Sequence, residues 1–85
     1  MLAQDIKPQQ IVAFLKSHGW KCVRAGDFIA QFEKPLFAGV ARVSVPMNQG
    51  STKYARDADV AVSIIANHTR PRRPYAVLLE EMAAL

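Results

Sequence analysis

The middle of the chain changes from a helical period of apolar residues to a period of two, and this change limits the folds available to it. Between residues 20 and 45, apolar and polar residues alternate in three short runs, with turn residues at 25–27 and around Pro35 and Gly39. We expect three consecutive strands joined by short loops, which form an antiparallel meander. Cys22 is expected to lie on the first strand as a small core residue.

A helix is predicted before the meander. Asp5 and Pro8 indicate its start, because aspartate accepts free amide hydrogens and proline has no amide hydrogen to leave unpaired. Gly19 indicates its end, because glycine adopts the left-handed conformation at little steric cost. The apolar side of this helix comprises Ile11, Val12, Phe14 and Leu15.

Two further helices are predicted after the meander. A polar loop over 47–52 leads to the second helix, which we expect to be capped by Ser51 or Thr52 and to stop near Asn67. The third helix is expected over 74–85, after a proline-rich segment that cannot stay helical. The apolar stripe of the second helix comprises Tyr54, Ala58, Ala61, Val62 and Ile65.

These elements predict an α+β fold of order α-β-β-β-α, with a three-stranded antiparallel sheet and an additional C-terminal helix. The chain has 85 residues, and a chain of this size supports one hydrophobic core. We therefore expect a single domain over 1–85, in which 74–85 form the last helix.

The last helix carries more apolar surface than the predicted sheet is expected to bury. A three-stranded sheet that two helices already cover has little room for a further stripe. We therefore expect this stripe to form a partner interface or a homodimer contact, to which a tryptophan contributes strongly when desolvated. The candidate interface residues are Trp20, Tyr75, Leu78, Leu79 and Met82. For Trp20 the alternative is packing over the first helix.

Composition excludes several classes of protein. The longest apolar run, 60–66, is far shorter than the roughly 20 residues of a membrane span, and residues 1–19 lack the unbroken apolar stretch of an export signal. The single Cys22 cannot form an internal disulfide and fits a reducing compartment, so we expect a cytoplasmic location. No feature of the sequence indicates a cofactor or a small-molecule ligand.

The net charge of +4 arises largely from clustered cations. Clustered lysines and arginines attract polyanions because binding releases counterions, so the expected partner is nucleic acid or an acidic protein surface. The guanidinium of arginine also donates bidentate hydrogen bonds to phosphate oxygens. The candidate nucleic-acid-binding residues are Lys16, Lys21, Arg24, Lys53, Arg56, Arg70, Arg72 and Arg73. For the arginines of 70–73 the alternative is a solvated loop.

No catalytic residue and no set of metal ligands is predicted. His18 and His68 have no acid nearby in the sequence to orient them, and hydrolysis needs a base, an orienting partner and charge stabilisers in one cleft. Asp57 and Asp59 are two residues apart on a predicted helix, so they point to different sides and do not form a carboxylate pair.

The first half of the chain resembles the HicA toxin family. The resemblance lies in 11–24 (IVAFLKSHGWKCVR), 26–32 (GDFIAQF) and 42–46 (RVSVP), which follow the HicA order of a short helix ending in Gly-Trp, a strand ending in Val-Arg, a second strand and a Val-Pro exit. HicA-like ribonucleases carry their essential histidine at the start of the second strand, where this chain has Phe28 and Ile29. The resemblance implies a small bacterial or phage protein of the toxin–antitoxin kind that lacks the catalytic group.

A second segment, 50–61 (GSTKYARDADVA), resembles the start of the last helix in double-stranded RNA-binding domains. Lys53, Ala55 and Arg56 match the Ser-Lys-Lys-x-Ala-Lys run of those domains, whereas Thr52 replaces the first lysine. Cations at a helix N-terminus form an anion site that can reach phosphates across the RNA groove. The resemblance implies binding of RNA more than DNA, with the helix start on phosphates and the cations of the first helix and strand extending the contact.

Three functions remain open at this point, in order of preference. The first is a non-catalytic nucleic-acid-binding module. The second is a protein-interaction module, which forms a homodimer or binds a partner as an antitoxin or inhibitor does. The third is a ribonuclease, which requires His18 or His68 to be essential.

Overall fold

Three helices and three strands follow one another in the predicted order. The computed structural model describes all of residues 1–85. The elements are α1 (Pro8–Ser17), β1 (Lys21–Ala25), β2 (Ile29–Leu36), β3 (Gly39–Pro46), α2 (Tyr54–Asn67) and α3 (Tyr75–Ala83), preceded by a 3-10 turn at Ala3–Asp5. The predicted α+β fold, with its α-β-β-β-α order and added C-terminal helix, is confirmed.

The sheet is an antiparallel meander in the order β1-β2-β3. β2 and β3 pair along their full length, and only Phe37 and Ala38 form the turn between them. Alternate residues of these strands face the helices, as the two-residue period predicts. The buried residues on this face are Ala30, Phe32, Ala41, Val43 and Val45.

β1 lies at the open edge of the sheet, and all five of its residues are exposed. A bulge between Cys22 and Arg24 interrupts its pairing with β2. The helices make most of their sheet contacts with β3. The residues of β1 continue the two-residue alternation, but no packed layer buries its apolar members. The prediction that Cys22 is a core residue is therefore wrong, and its thiol is free and exposed.

α1 begins at Pro8 and not at the Asp5 cap that the sequence indicated. The Asp5 carboxylate accepts the backbone N–H of Leu2 at 3.0 Å within the 3-10 turn. The first turn of α1 is closed by Gln10, whose Oε1 accepts the N–H of Lys7 at 2.8 Å. Proline at the first helical position leaves no amide hydrogen unpaired, which explains why the helix starts there.

α2 packs on the sheet through the predicted stripe, in which all five residues are buried. Its expected hydroxyl cap is shifted, because the Ser51 hydroxyl accepts the N–H of Lys53 at 3.2 Å, one residue before the helix. The buried Tyr54 hydroxyl donates to the carbonyl of Ile6. This hydrogen bond ties the start of α2 to the segment that precedes α1.

α3 completes the core and does not present an apolar stripe to a partner. Leu78, Leu79 and Met82 are buried in the same cluster as the sheet residues, and α3 contacts both α1 and α2. The amide of Gln10 donates to the carbonyl of Ala83 at 3.0 Å, which fixes the end of α3 against α1. The expectation of a partner interface on Leu78, Leu79 and Met82 is therefore corrected: these residues are buried where α3 packs against α1 and α2.

Replacing Leu78 by alanine is expected to lower the free energy of unfolding by about 2–5 kcal/mol, because it removes buried methyl groups and leaves a cavity. Val77, the preceding residue on the same helix, is 41% exposed. Val77→Ala is therefore expected to change the free energy of unfolding by less than about 1 kcal/mol. Urea unfolding followed by circular dichroism measures both. An equally small effect of the two substitutions would contradict the placement of α3 in the core.

Burial raises the pKa of Tyr54 from 10.0 to about 12. The folded chain therefore holds the phenol proton more tightly than the unfolded chain. This contribution to stability is complete below the unfolded pKa and is lost as the pH rises through the folded one. We expect the free energy of unfolding to fall between about pH 9.5 and pH 12, and to fall less in Tyr54→Phe. Urea unfolding at several pH values tests this, and an identical fall in both proteins would contradict it.

Candidate nucleic-acid interface

Trp20 joins the end of α1 to the end of α2. Gly19 has a positive φ of 84°, which glycine adopts without steric strain, and the chain then reverses so that the Trp20 N–H donates to the carbonyl of Leu15 at 3.0 Å. The Trp20 ring is buried, and its centroid lies 6.3 Å from that of His68 in an edge-to-face arrangement. Trp20 is thus a core residue, which corrects its assignment to an exposed partner interface.

The two histidines end helices at this side of the molecule. The ring of His18 stacks on Phe14 with centroids 3.9 Å apart, and its Nδ1 lies 2.9 Å from the hydroxyl of Ser17 and from the carbonyl of Phe14. His68 follows α2 and packs against Trp20. Neither histidine forms an ion pair with a carboxylate. The contacts of both rings are with the ends of their own helices and the core.

Four of the predicted cations lie at this end of the molecule. Lys16 is in the last turn of α1, and Lys21 opens β1 directly after Trp20. Arg70 is hydrogen-bonded to carbonyls at the end of α2, and Arg72 lies two residues further along the chain. We call Lys16, Lys21, Arg70 and Arg72 the basic end. All four are exposed, and none takes part in any of the three ion pairs of the structure.

The C-terminus of α2 holds Arg70 in place. Its Nη1 donates to the carbonyls of Asn67 and Thr69, each at 2.9 Å. The buried Thr69 hydroxyl donates to the carbonyl of Ile65 at 2.7 Å, which anchors the start of this segment. Carbonyls at a helix C-terminus carry partial negative charge and favour a cation there. The guanidinium keeps further N–H donors for a partner.

The start of α2 has no excess of positive charge. Lys53 and Arg56 are exposed there, but Arg56 lies 3.7 Å from Asp57. Asp5 lines the depression over the first turn of α2, and Asp59 stands one turn further along the helix. Three carboxylates therefore accompany two cations. The phosphate site that the sequence indicated at this position stays a prediction, and acids share its surface.

Tyr75 fastens α3 to this acidic region. Its hydroxyl donates to the carboxylate of Asp59. Burial, the hydrogen bond to Asp59 and the negative charge of Asp59 all raise the pKa of Tyr75. Tyr75 is half-buried and its hydroxyl is engaged within the chain, which corrects its assignment to a partner interface.

The remaining predicted cations either lie away from the basic end or are paired with an acid. Arg24 lines a depression together with Asp27, at the turn between β1 and β2. The Nε of Arg73 lies 3.3 Å from a carboxylate oxygen of Glu81 on α3. Lys53 is separated from the basic end by α2, whose 14 residues span about 20 Å. The structure thus brings together only half of the eight cations.

The tip of the β2–β3 hairpin, which the sequence pattern did not indicate as part of a site, lies at this same end. β1 begins opposite Glu33, and the hairpin continues to Leu36 before it turns. Its tip therefore projects about 10 Å beyond the first residue of β1. Lys34, which has no ion pair, and the fully exposed Phe37 lie in this extension. The available signal was an aromatic residue between two turn-forming residues, where alternation cannot bury it.

No three histidine, cysteine, aspartate or glutamate side chains form a group that could hold a metal ion. None of the helices combines the length and apolar character that crossing a bilayer requires. A scan against protein-family models and searches of curated proteins and of solved structures found no match. The function is therefore inferred from the geometry of the chain itself.

Proposed function

We propose that this chain is a non-catalytic nucleic-acid-binding module that contacts phosphates through the basic end. The observation that carries this proposal is the separation of charge between the two ends of α2. The four cations of the basic end have no carboxylate partner, whereas carboxylates accompany the cations at the start of α2. Unpaired, exposed cations are those that gain most from phosphate contacts, because their binding releases counterions from the nucleic acid.

The resemblance to the HicA family of ribonucleases supports RNA in preference to DNA, and the missing histidine supports binding in preference to hydrolysis. Ile29 opens β2 and Phe28 precedes it, so apolar side chains stand where HicA-like ribonucleases carry their essential histidine. A toxin–antitoxin-like protein of bacterial or phage origin is consistent with these features. The free, exposed thiol of Cys22 supports a reducing, cytoplasmic setting.

Replacing Lys16 and Lys21 together by alanine tests the basic end. We expect binding to a short RNA to weaken roughly tenfold at about 50 mM salt, and the slope of log affinity against log salt to fall by about 1.4–1.8, because two phosphate contacts are lost. Both lysines are exposed and unpaired, so the fold is retained. Fluorescence-anisotropy titrations at several salt concentrations measure both quantities.

The double substitution of Lys53 and Arg56 by alanine is the matched control. It removes the same charge at the opposite end of α2 and is expected to change the affinity less than about twofold. A larger effect of the control pair would place the interface at the start of α2. Absence of binding to RNA and DNA at about 50 mM salt would remove the function altogether.

A partner with an acidic protein surface would meet the same four cations, and a competition experiment separates it from nucleic acid. Polyglutamate presents carboxylates without the bases and regular phosphates of RNA. We expect RNA to compete for the protein far better than polyglutamate at equal charge, since arginine forks onto phosphate and the bases add contacts. Equal competition would instead favour an acidic protein partner.

The open edge of β1 favours a second candidate function, a protein-interaction module that forms a homodimer. β1 has an unpaired side, and the apolar residues Val23, Phe28 and Ile29 are exposed on and beside it. This function predicts a dimer mass in light scattering that Val23→Lys reduces to that of a monomer. A monomer mass for the unmodified chain at high concentration would exclude this candidate.

A further inference from the structure

The tip of the β2–β3 hairpin is an exposed apolar surface that the fold does not use. Residues 35–40 are six successive uncharged residues, and all of them are exposed. Phe37 is fully exposed, and Leu36 and Val40 are about half exposed. Packing inside this chain therefore gives no reason for an aromatic residue in the turn. Exposed apolar groups of this kind are typical of sites that contact another molecule.

The charges around the tip indicate what that molecule is. The tip extends beyond Lys21, the first residue of β1, at the end of the sheet where the basic end lies. Lys34 and Arg42 flank it on the two strands of the hairpin, and of these two only Arg42 is paired, with Glu33 at 2.8 Å. An aromatic ring thus projects from a region of positive charge. This combination is complementary to a ligand that carries both flat apolar groups and negative charges.

Nucleic acid with unpaired bases has this chemistry. Its bases expose their flat faces to an aromatic side chain, while its phosphates contact cations. In a base-paired duplex the faces are stacked inside the helix, and a single protruding phenylalanine cannot reach them without unstacking the bases. The exposed Phe28 provides an internal comparison, because it lies at the opposite end of the sheet, where the carboxylate of Asp27 accompanies the cation Arg24.

We propose that the ligand of the basic end is single-stranded nucleic acid, in which one unpaired base stacks on Phe37 while neighbouring phosphates contact Lys21, Lys34 and the arginines that follow α2. This inference rests on the proposed nucleic-acid-binding function and narrows its substrate class. It departs from the duplex RNA that the resemblance of the α2 start implies. Recognition by stacking needs no particular base, since every base has a flat face.

Phe37→Ala, with Phe28→Ala as the matched control, tests the stacking. Each variant removes one exposed phenyl ring from a turn, at opposite ends of the same sheet. Phe37→Ala is expected to weaken binding to an unstructured RNA 12-mer roughly 5- to 100-fold without changing its salt dependence, because a base contact and no phosphate contact is lost. Phe28→Ala is expected to leave binding unchanged, and neither variant is expected to alter binding to a blunt RNA duplex of the same length.

Phe37→Trp supplies a direct readout, because the native Trp20 is buried and away from solvent. The emission of the introduced tryptophan is expected to be quenched by the 12-mer and not by the duplex. Vesicles that contain phosphatidylserine are also expected not to quench it, because they offer negative charge and an apolar interior but no bases. Quenching or a blue shift with the vesicles alone would overturn the proposal in favour of a membrane surface.

The outcomes separate this proposal from the function on which it rests. If the 12-mer binds in a salt-dependent way and equally tightly to Phe37→Ala and Phe28→Ala, the stacking is overturned. The nucleic-acid-binding function is then retained. Tighter binding of the duplex than of the 12-mer would also overturn it. No binding of either RNA would remove both. Selective loss in Phe37→Ala together with quenching of Phe37→Trp by the 12-mer supports it.

Discussion

The burial of Trp20 against His68 is the contact on which both the fold and the candidate interface depend. It closes the core where α1 ends and β1 begins, and it holds the C-terminus of α2 at the same place. Because Lys21 directly follows Trp20, and because Arg70 and Arg72 come soon after His68, this contact also brings cations from distant parts of the sequence to one end of the molecule. The positive φ of Gly19 allows the chain to reverse after α1, and this reversal places the Trp20 ring there.

The separation of charge agrees with the electrostatics of the helices. A helix N-terminus carries partial positive charge and its C-terminus partial negative charge. The carboxylates of Asp57 and Asp59 lie in the first half of α2, and Arg70 binds the carbonyls at its end. Lys16 stands in the last turn of α1. The same placements that stabilise the helices therefore leave unpaired cations at one end of the domain, and the proposed polyanionic partner would meet them without further rearrangement.

Much of the fold could be predicted from the sequence, because hydrophobic periodicity reports directly on which face of an element is buried. The stripe of α2 is confirmed residue by residue, and the alternation in β2 and β3 is confirmed at the buried residues Ala30, Phe32, Ala41, Val43 and Val45 but not at the exposed Phe28. Burial at the sheet edge could not be predicted in this way, since the period of β1 does not reveal that no helix covers Cys22. The docking of α3 depends on the space between the other helices, which is a property of the assembled layer.

The site was harder to predict, because it depends on where helix ends meet. One part of the site does follow from topology. Three antiparallel strands lie between α1 and α2, so β3 ends at the opposite end of the sheet from the start of β1. α2 must therefore return along the sheet toward the end of α1. The C-termini of both helices therefore share one end, with their cations. Pairings such as Arg73 with Glu81, which withdraw a cation from the surface, depend on side-chain geometry that sequence spacing does not contain.

A backbone NMR titration of the labelled protein with a short, unstructured RNA tests whether the basic end and the hairpin tip bind the same molecule. We expect the chemical shifts of Lys16–Lys21, of the hairpin tip at 35–40 and of 67–72 to move together and to saturate at one affinity. The resonances of 51–56 at the start of α2 and of Phe28 are predicted to stay in place. Shifts confined to 51–56, or no shifts at all, would contradict this expectation.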